Sequence, residues 1–552
     1  MQTKKMGPGT MLNVYPDSVG GRLSDIISLL EGDVFRDVFR SVYILPSIFN
    51  TDLDRGFSLI DYELNETMAD EDDIKKLHEL GIDLTMDFIL NHISVLSPQF
   101  QDVIRNGEES EYKDFFINWN RFWDGCGRMT DEGYILPDEK YLKKMFFRKE
   151  GLPILMVRFP DGRDVPYWNT FYQKVIYNTI DPLKLVGECH LQYDTAVRAS
   201  NLINSALAQG EDIRQIDLSE FDKYKTTLMD YLESNRSYLG QMDLNIRSPL
   251  VWDYYKETLK KLSDYGVSIV RLDAFAYAPK EPGERNFLND PGTWELLKKI
   301  DDIASQYDLT LLPEIHASYA EGTYRILADK GYMVYDFFLP GLVIDAFIRK
   351  NGNYLKKWGD EIVSQKIMTV NMLGCHDGIP LLDLKGLLPE EDIGTLIDTV
   401  VERGGYVKDL HGAKNVYYQV NATYFSALGE SEQRMLMSRA IQLFMPGKPQ
   451  IWYLDLFAGR NDYEAMKRAG AGGHKEINRT NLTLSDAEEL LRRDVVKKQL
   501  EMLRFRNTSP AFTEDAKVSF ECSGSKMEII WENDRAQARL SVDFEKETYE
   551  YI

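Results

Sequence analysis

The stretch VSIVRLDAFAY, residues 267–277, reads as a buried strand except at Arg271 and Asp273. Strand alternation turns residues two apart to the same face, so both charges point one way. Burying either alone is costly, and burying both requires that they pair and find further polar partners. Three more apolar stretches end in the same manner: DFILNHIS on Asn91 and His92, LLPEIH on Glu314 and His316, and NMLGCHDGIP on His376 and Asp377. The chain has seven histidines and three stand at these ends, more than an isolated ion pair at one strand end explains. Two carboxyls at convergent strand ends are the equipment for retaining cleavage of a glycosidic bond, one as nucleophile and one protonating the leaving oxygen. Asp273 suits the nucleophile, because the Arg271 guanidinium favours its ionised form and is expected to lower its pKa. Glu314 suits the acid, provided its surroundings keep it protonated before cleavage and basic for the return step.

Convergence of these ends needs strands in order. TMLNVYP, SVYILP, DLTMDFIL, VSIVRLDA, LTLLPEI, YMVYDFFL, IMTVNMLG and QIWYLD are short apolar runs. Helical stretches such as DEDDIKKLHEL, WDYYKETLKKLSDYG and TWELLKKIDDIASQY lie between many of them. Eight strands alternating with helices predict an α/β fold, a (β/α)8 TIM barrel, whose active site lies at the C-terminal strand ends. Uneven spacing divides the chain into barrel (1–92), an inserted subdomain (93–240), barrel (241–377), a second inserted subdomain (378–432), barrel (433–514) and a small C-terminal β-domain (515–552). The first insert carries an extra helical insertion over about 172–240. There FDKYKTTLMDYLESNRSYL places Phe221, Tyr224, Leu228, Tyr231 and Leu232 at helical spacing, which predicts one amphipathic helix, and TAVRASNLINSALAQG predicts another. Such a helical insert could cover the site entrance or form an oligomer contact. The final stretch loses helical periodicity and alternates like a small antiparallel sheet.

Lysine and arginine number 65 against 88 acidic residues, a formal charge of −23 that argues against nucleic acid or an anionic membrane as partner. The N-terminus has no apolar run of signal-peptide length and nowhere do 18 apolar residues run together, so no membrane span is expected. Cys126, Cys189, Cys375 and Cys522 are far apart and form neither a metal-ligand spacing nor a disulfide framework, which suits a reduced, cytoplasmic protein. No ligand cluster suggests a metal, and no cofactor is expected. The Gly-rich GAGGHKE at 470–476 does not qualify as a phosphate loop, because Lys475 precedes Glu476 rather than Ser or Thr.

DFILNH, VRLDAFAY, LPEIH and GCHDGIP together resemble the four motif regions of the α-amylase superfamily, glycoside hydrolase family 13. YPDSVGG, ILPSIFNTDLDRGFSLIDY, YQVNATYFSALG, IQLFMPGKPQIWY and EINRTN extend the likeness to the branch of sucrose phosphorylase and sucrose 6′-phosphate phosphorylase, over nearly the whole chain apart from about 172–240. The resemblance implies that Asp377 holds sugar hydroxyls and stabilises positive charge at the transition state, with His92 and His376 hydrogen-bonding the sugar from opposite sides. It further implies that Asp54 and Arg479 clamp the non-reducing end of glucose, that Phe57 and Tyr277 flank the glucosyl pocket, and that His316 lies near the acceptor. Plainer roles compete at four of these positions: a turn for Asp54, core for Phe57, a helix-cap cation for Arg479 and packing below the site for Tyr277.

The acceptor side divides the branch. Arg148 and Lys149 in KMFFRKEGLP look like the basic residues with which the sucrose 6′-phosphate enzymes hold the sugar phosphate, a task suited to a guanidinium, although a solvated basic loop would look the same. Tyr418, beside Gln419 in KNVYYQVN, stands where the sucrose 6′-phosphate enzymes have a histidine and the sucrose enzymes a tyrosine, and Val416 replaces an aspartate that contacts fructose in the latter. The expected activity is glucosyl transfer from sucrose or sucrose 6′-phosphate to inorganic phosphate by double displacement. Glucosylglycerol or glucosylglycerate phosphorolysis, α-glucoside hydrolysis or transglucosylation, and non-catalytic sugar binding are the alternatives. Small sugars and phosphate are the expected partners of a monomer or homodimer.

Overall fold

A computed structural model describes residues 9–148, 151–407, 419–470 and 473–552. Eight short parallel strands form its centre: β1 (Met11–Val14), β2 (Ser41–Ile44), β3 (Asp83–Ile89), β4 (Val267–Asp273), β5 (Thr310–Pro313), β6 (Val334–Asp336), β7 (Thr369–Asn371) and β8 (Lys448–Trp452). The first seven lie inside the corresponding apolar runs, and β8 begins two residues before QIWYLD. Hydrogen bonding orders them β5–β4–β3–β2–β1–β8–β7–β6, so the ladder closes a barrel except for a seam between β5 and β6. Such strands are buried on both faces, which is why they read as near-continuous apolar runs. Helices Leu23–Leu30, Glu71–Glu79, Pro249–Asp264, Gly292–Ala304, Thr323–Asp329, Leu339–Arg349, Glu432–Phe444 and Asp494–Thr508 intervene or follow, completing the (β/α)8 pattern. The helix at Glu71–Glu79 starts where its sequence directs it to: the Asp70 carboxylate accepts from the Asp73 N–H.

Between β3 and β4 the chain builds a three-stranded antiparallel sheet from His92–Ser94, Arg236–Asp243 and Gln173–Tyr177, and a hairpin from Ile154–Arg158 and Asp164–Trp168. Beyond these, helices Pro182–Cys189, Tyr193–Ala208 and Lys225–Ser234 enclose an apolar cluster of their own around Leu185, Ala199, Ile203, Phe221 and Leu228, separate from the barrel core. The single amphipathic helix expected over 221–239 is shorter than its spacing suggests. Phe221 sits in a kinked 3-10 turn, the α-helix covers Lys225–Ser234, and Arg236 onward pairs as a strand with Gln173–Tyr177. Backbone pairing across the insert overrides the helical period in its last turn, while Phe221, Leu228, Tyr231 and Leu232 are buried together.

After β7, Ile379–Pro380, Gln419–Asn421 and Tyr406–Val407 form a small sheet against helix Glu390–Glu402. The chain ends in four antiparallel strands, Lys517–Ser523, Lys526–Glu532, Gln537–Asp543 and Thr548–Tyr551. Met527, Ile529 and Trp531 alternate inward from them, and the Trp531 indole donates to the Phe444 carbonyl at 2.7 Å, fastening the sheet to helix Glu432–Phe444. Among the described residues, no helix is long and apolar enough to cross a membrane.

Candidate active site

Arg271 and Asp273 face the barrel interior at the end of β4, and the ladder sets Arg271 opposite Asp87 of β3. The Arg271 guanidinium, almost wholly buried, reaches three carboxylates: Asp87, Asp273 at 3.0 Å and Glu314 at 3.0 Å. Asp87 also accepts from the Tyr43 hydroxyl at 2.8 Å. Sequence reading missed Asp87. Its signal was there: an acid in the apolar run DLTMDFIL, at even spacing from Asn91 and so on the same face.

One guanidinium divided among three carboxylates changes the expected protonation. Burial pushes Asp273 up to about 8 against the pull of Arg271, with Glu314, Asp87 and Asp377 adding like charge. Arg271 does lower the Asp273 pKa, as the sequence led us to expect, but desolvation is the larger effect and the cation is shared, so the net shift is upward. Glu314, which burial alone would raise, is brought down to about 2 by Arg271 and by His316. The two carboxyls are thus pushed in opposite directions, Asp273 towards its protonated form and Glu314 towards its ionised form.

Around this pair stand the other predicted residues. His316 donates through Nε2 to Glu314 at 3.3 Å and through Nδ1 to Asp383 at 2.9 Å, and its ring stacks on Phe337. Although resemblance set it near the acceptor, it touches the candidate acid directly. Asp377 faces two cations, Lys475 in contact and Arg479 Nη2 at 3.7 Å, with His376 Nε2 at 3.3 Å. Burial would raise Asp377, but His376, Lys475 and Arg479 hold it well below the carboxylate range. Burial lowers His376 to about 3, so it is neutral, and its ring stacks on Phe57 at 5.0 Å. The His376 Nδ1 and Arg479 Nη2 atoms are buried with no hydrogen-bond partner in the protein, two polar groups that a sugar could satisfy.

Asp54 is 43% exposed and lies 3.7 Å from Arg479, at the rim of the same pocket. It opens the turn Asp54–Gly56, which packs so tightly that a Cβ on Gly56, at φ +116, would come within 2.2 Å of the Ser47 nitrogen. That close approach delivers the Phe57 carbonyl to His92 Nε2 and Gln241 Nε2, both at 2.9 Å. Arg55, unremarked in the sequence, locks the turn through Asp17 at 3.0 Å and the Arg479 carbonyl at 2.8 Å. Lys475 was also missed as a site residue, since loops carry no periodic signal.

On the other side, Tyr277 meets the Phe171 ring edge-on at 5.1 Å and the tilted Phe287 ring at 4.5 Å. Arg148 lies against this aromatic wall, its Nη1 at 3.3 Å from the Tyr277 hydroxyl and its guanidinium 5.3 Å from the centre of the Phe171 ring. Gln419 begins the small strand after β7 and pairs with Pro380, three residues beyond Asp377. Lys149 and Tyr418, together with Val416, lie outside the described residues. No group of three or more His, Cys, Asp and Glu able to hold a metal occurs among the described residues.

Below the sugar side, Lys280 donates to Asp243 at 2.8 Å and to Asn91 at 2.9 Å, all buried, tying the end of β3 to the insert and to the loop after β4. Asp243 also accepts from the Thr170 N–H at 2.8 Å. Lys280→Met should cost roughly 3–5 kcal/mol, because it leaves a buried carboxylate uncompensated. In thermal denaturation the double variant Lys280→Met/Asp243→Asn should melt above Lys280→Met alone. If the single and double variants melt alike, this pairing is not what stabilises the junction.

A parallel eight-stranded barrel, closed but for one seam, with Asp273 and Glu314 sharing the Arg271 guanidinium at its C-terminal mouth and Asp377 beside Lys475 and Arg479, defines an α-amylase-type carbohydrate-active enzyme. Comparison with known proteins agrees: the family model for the alpha amylase catalytic domain matches residues 35–133. The chain is 49% identical to a sucrose 6(F)-phosphate phosphorylase of Ilumatobacter coccineus, covering 98% of this chain and 94% of that protein. It is 31% identical to a sucrose phosphorylase of Streptococcus mutans, covering 94% and 92%. The crystal structure of sucrose 6F-phosphate phosphorylase from Thermoanaerobacter thermosaccharolyticum superposes with a TM-score of 0.80 at 32% identity, covering 99% and 95%. The chain belongs to the sucrose and sucrose 6′-phosphate phosphorylase branch of glycoside hydrolase family 13, a group of glucosyl-transferring phosphorylases.

Proposed function

We propose that the protein is a retaining sucrose 6′-phosphate phosphorylase, with Asp273 as nucleophile, Glu314 as acid and base, and Asp377 as the carboxylate that stabilises the transition state. Asp273 attacks the anomeric carbon, the bond to the fructosyl oxygen breaks, and Glu314 gives that oxygen its proton. Inorganic phosphate then displaces Asp273, returning its own proton to Glu314 and leaving as α-glucose 1-phosphate. A donor presents its glycosidic oxygen to Glu314 and its electrophilic carbon to Asp273, and so favours a protonated Glu314 beside an ionised Asp273. His92, His376, Asp54, Arg479, Phe57 and Tyr277 would hold the glucosyl unit, with Gln419 on the acceptor side. A cytoplasmic location, expected from the cysteine usage, belongs to the same reading.

The observation that carries the phosphorylated donor over plain sucrose is Arg148, held on the aromatic wall beside Tyr277. In a chain of net charge −23, an anionic donor needs such a local cation. A hydrogen bond to a charged group contributes about 1.5–3 kcal/mol, roughly 10- to 150-fold in binding. Arg148→Ala should lower kcat/KM for sucrose 6′-phosphate by that factor and leave sucrose nearly unchanged. Phosphate-dependent turnover of sucrose, sucrose 6′-phosphate, glucosylglycerol and glucosylglycerate by both proteins tests the reading. Equal losses on the two sucroses, or a wild-type preference for an uncharged donor, would return Arg148 to the role of a solvated loop cation.

A further inference from the structure

Asp383 has no part in the chemistry described so far, yet it is buried beside it. It lies in the 3-10 turn Leu382–Leu384 that follows the His376–Asp377 loop, and its Oδ2 is 2.9 Å from His316 Nδ1. The other nitrogen of the same ring is 3.3 Å from Glu314, so the imidazole bridges two carboxylates. Phe337 covers one face of the ring at 3.9 Å between centroids, in a nearly parallel stack. An imidazole in that position cannot swing away, and each nitrogen faces an acceptor.

This geometry has a use in the second half of the reaction. Once the leaving group has gone, Glu314 is a carboxylate, and the incoming nucleophile is an anion that must come within hydrogen-bonding distance of it. Like charges at such range repel by several kcal/mol unless a cation lies between them. Water as nucleophile meets no such barrier. Resting on the phosphorylase reading above, we propose that Asp383 is a positioning residue that holds His316 against Glu314 while inorganic phosphate approaches, and so favours phosphate over water as the glucosyl acceptor.

The charges facing the ring agree with this. Burial would strip its proton, but Asp383 first and then Glu314 reverse that and raise His316 to about 9. Arg271 stands behind Glu314, while Glu321 from the turn Tyr319–Glu321 adds negative charge near Asp383. A group with a raised pKa keeps its charge below that value and loses it as pH rises through it. The wild type should therefore accept phosphate up to about pH 9. Asp383→Asn removes the largest influence holding the proton, so the same loss should begin at lower pH.

The test uses full-length wild type and Asp383→Asn with sucrose 6′-phosphate as donor, and measures glucose 1-phosphate with phosphate present and free glucose without it. In the variant, kcat/KM for phosphate should fall about tenfold for each unit by which the alkaline limb moves down, above that limb. Release of glucose to water should change far less. Asp383→Ser, which leaves room for a water against the ring, gives the same reading should the amide variant not fold. An unmoved alkaline limb, or parallel losses to phosphate and to water, overturns the role of Asp383. A wild type that shows no phosphate-dependent turnover of any donor overturns the phosphorylase reading as well, and so separates the two failures.

Discussion

Asp273→Asn should reduce glucosyl transfer on the order of 10⁴-fold or more while leaving the fold intact. Without the carboxylate no covalent glucosyl intermediate can form, and loss of a nucleophile typically removes effects of that size. Stability should go the other way. Asp273 is raised to about 8 in the folded protein, so between its ordinary value and 8 folding takes up a proton. Stability from this group is complete at low pH and declines as pH rises, because the unfolded chain ionises more readily. The amide cannot ionise and so escapes that decline. The variant should match the wild type in melting temperature at about pH 4 and exceed it by a growing margin towards pH 8. Wild-type turnover in the variant would remove Asp273 from the mechanism, and a widening deficit in stability with rising pH would show that the Asp273 pKa is not raised by folding.

Arg271→Leu should be the most damaging single change to the barrel. It leaves Asp87, Asp273 and Glu314 packed together with their shared cation gone. Removing one partner of a buried pair costs roughly 3–5 kcal/mol, and here three carboxylates lose theirs at once. The cost can be relieved only by protonation, so all three pKa values must rise and stability must fall as pH increases. The variant should be far closer to wild type in melting temperature at about pH 5 than at about pH 8. Arg271→Lys should recover little, since a point charge cannot serve three carboxylates in the directions a guanidinium does. A pH-independent deficit would mean that lost packing, not uncompensated charge, sets the cost.

The barrel was legible because its strands are short, apolar and buried on both faces, and because helical stretches with polar faces separate them. The charged residues at four strand ends were legible for the same reason, standing out against apolar surroundings. What escaped was contact between distant parts of the chain. Asp87 and Arg271 are 184 residues apart and meet only once β3 and β4 pair. Arg55 and Lys475 sit in loops whose composition suggests solvent, and Asp383 reads as an ordinary turn residue. The protonation of Asp273 was misjudged because sequence shows a neighbouring arginine but not how deeply the site is buried or how many acids compete for it. The helical period over 221–239 was real as far as Ser234, and no local pattern marked the point where strand pairing takes over.

The ladder places Arg271 opposite Asp87 on one side and Leu312 on the other. A slip of one residue in β4 would turn Arg271 outward among the helices and bring Leu272 into the centre, leaving Asp87 and Glu314 facing hydrocarbon. Catalytic charge thus acts as a proofreader of assembly. A barrel zipped one step out of phase forfeits the cation that makes its interior tolerable, and it does so before any sugar is present. Alignment of the strands and readiness for turnover are checked by the same guanidinium, so a change that loosens one loosens the other.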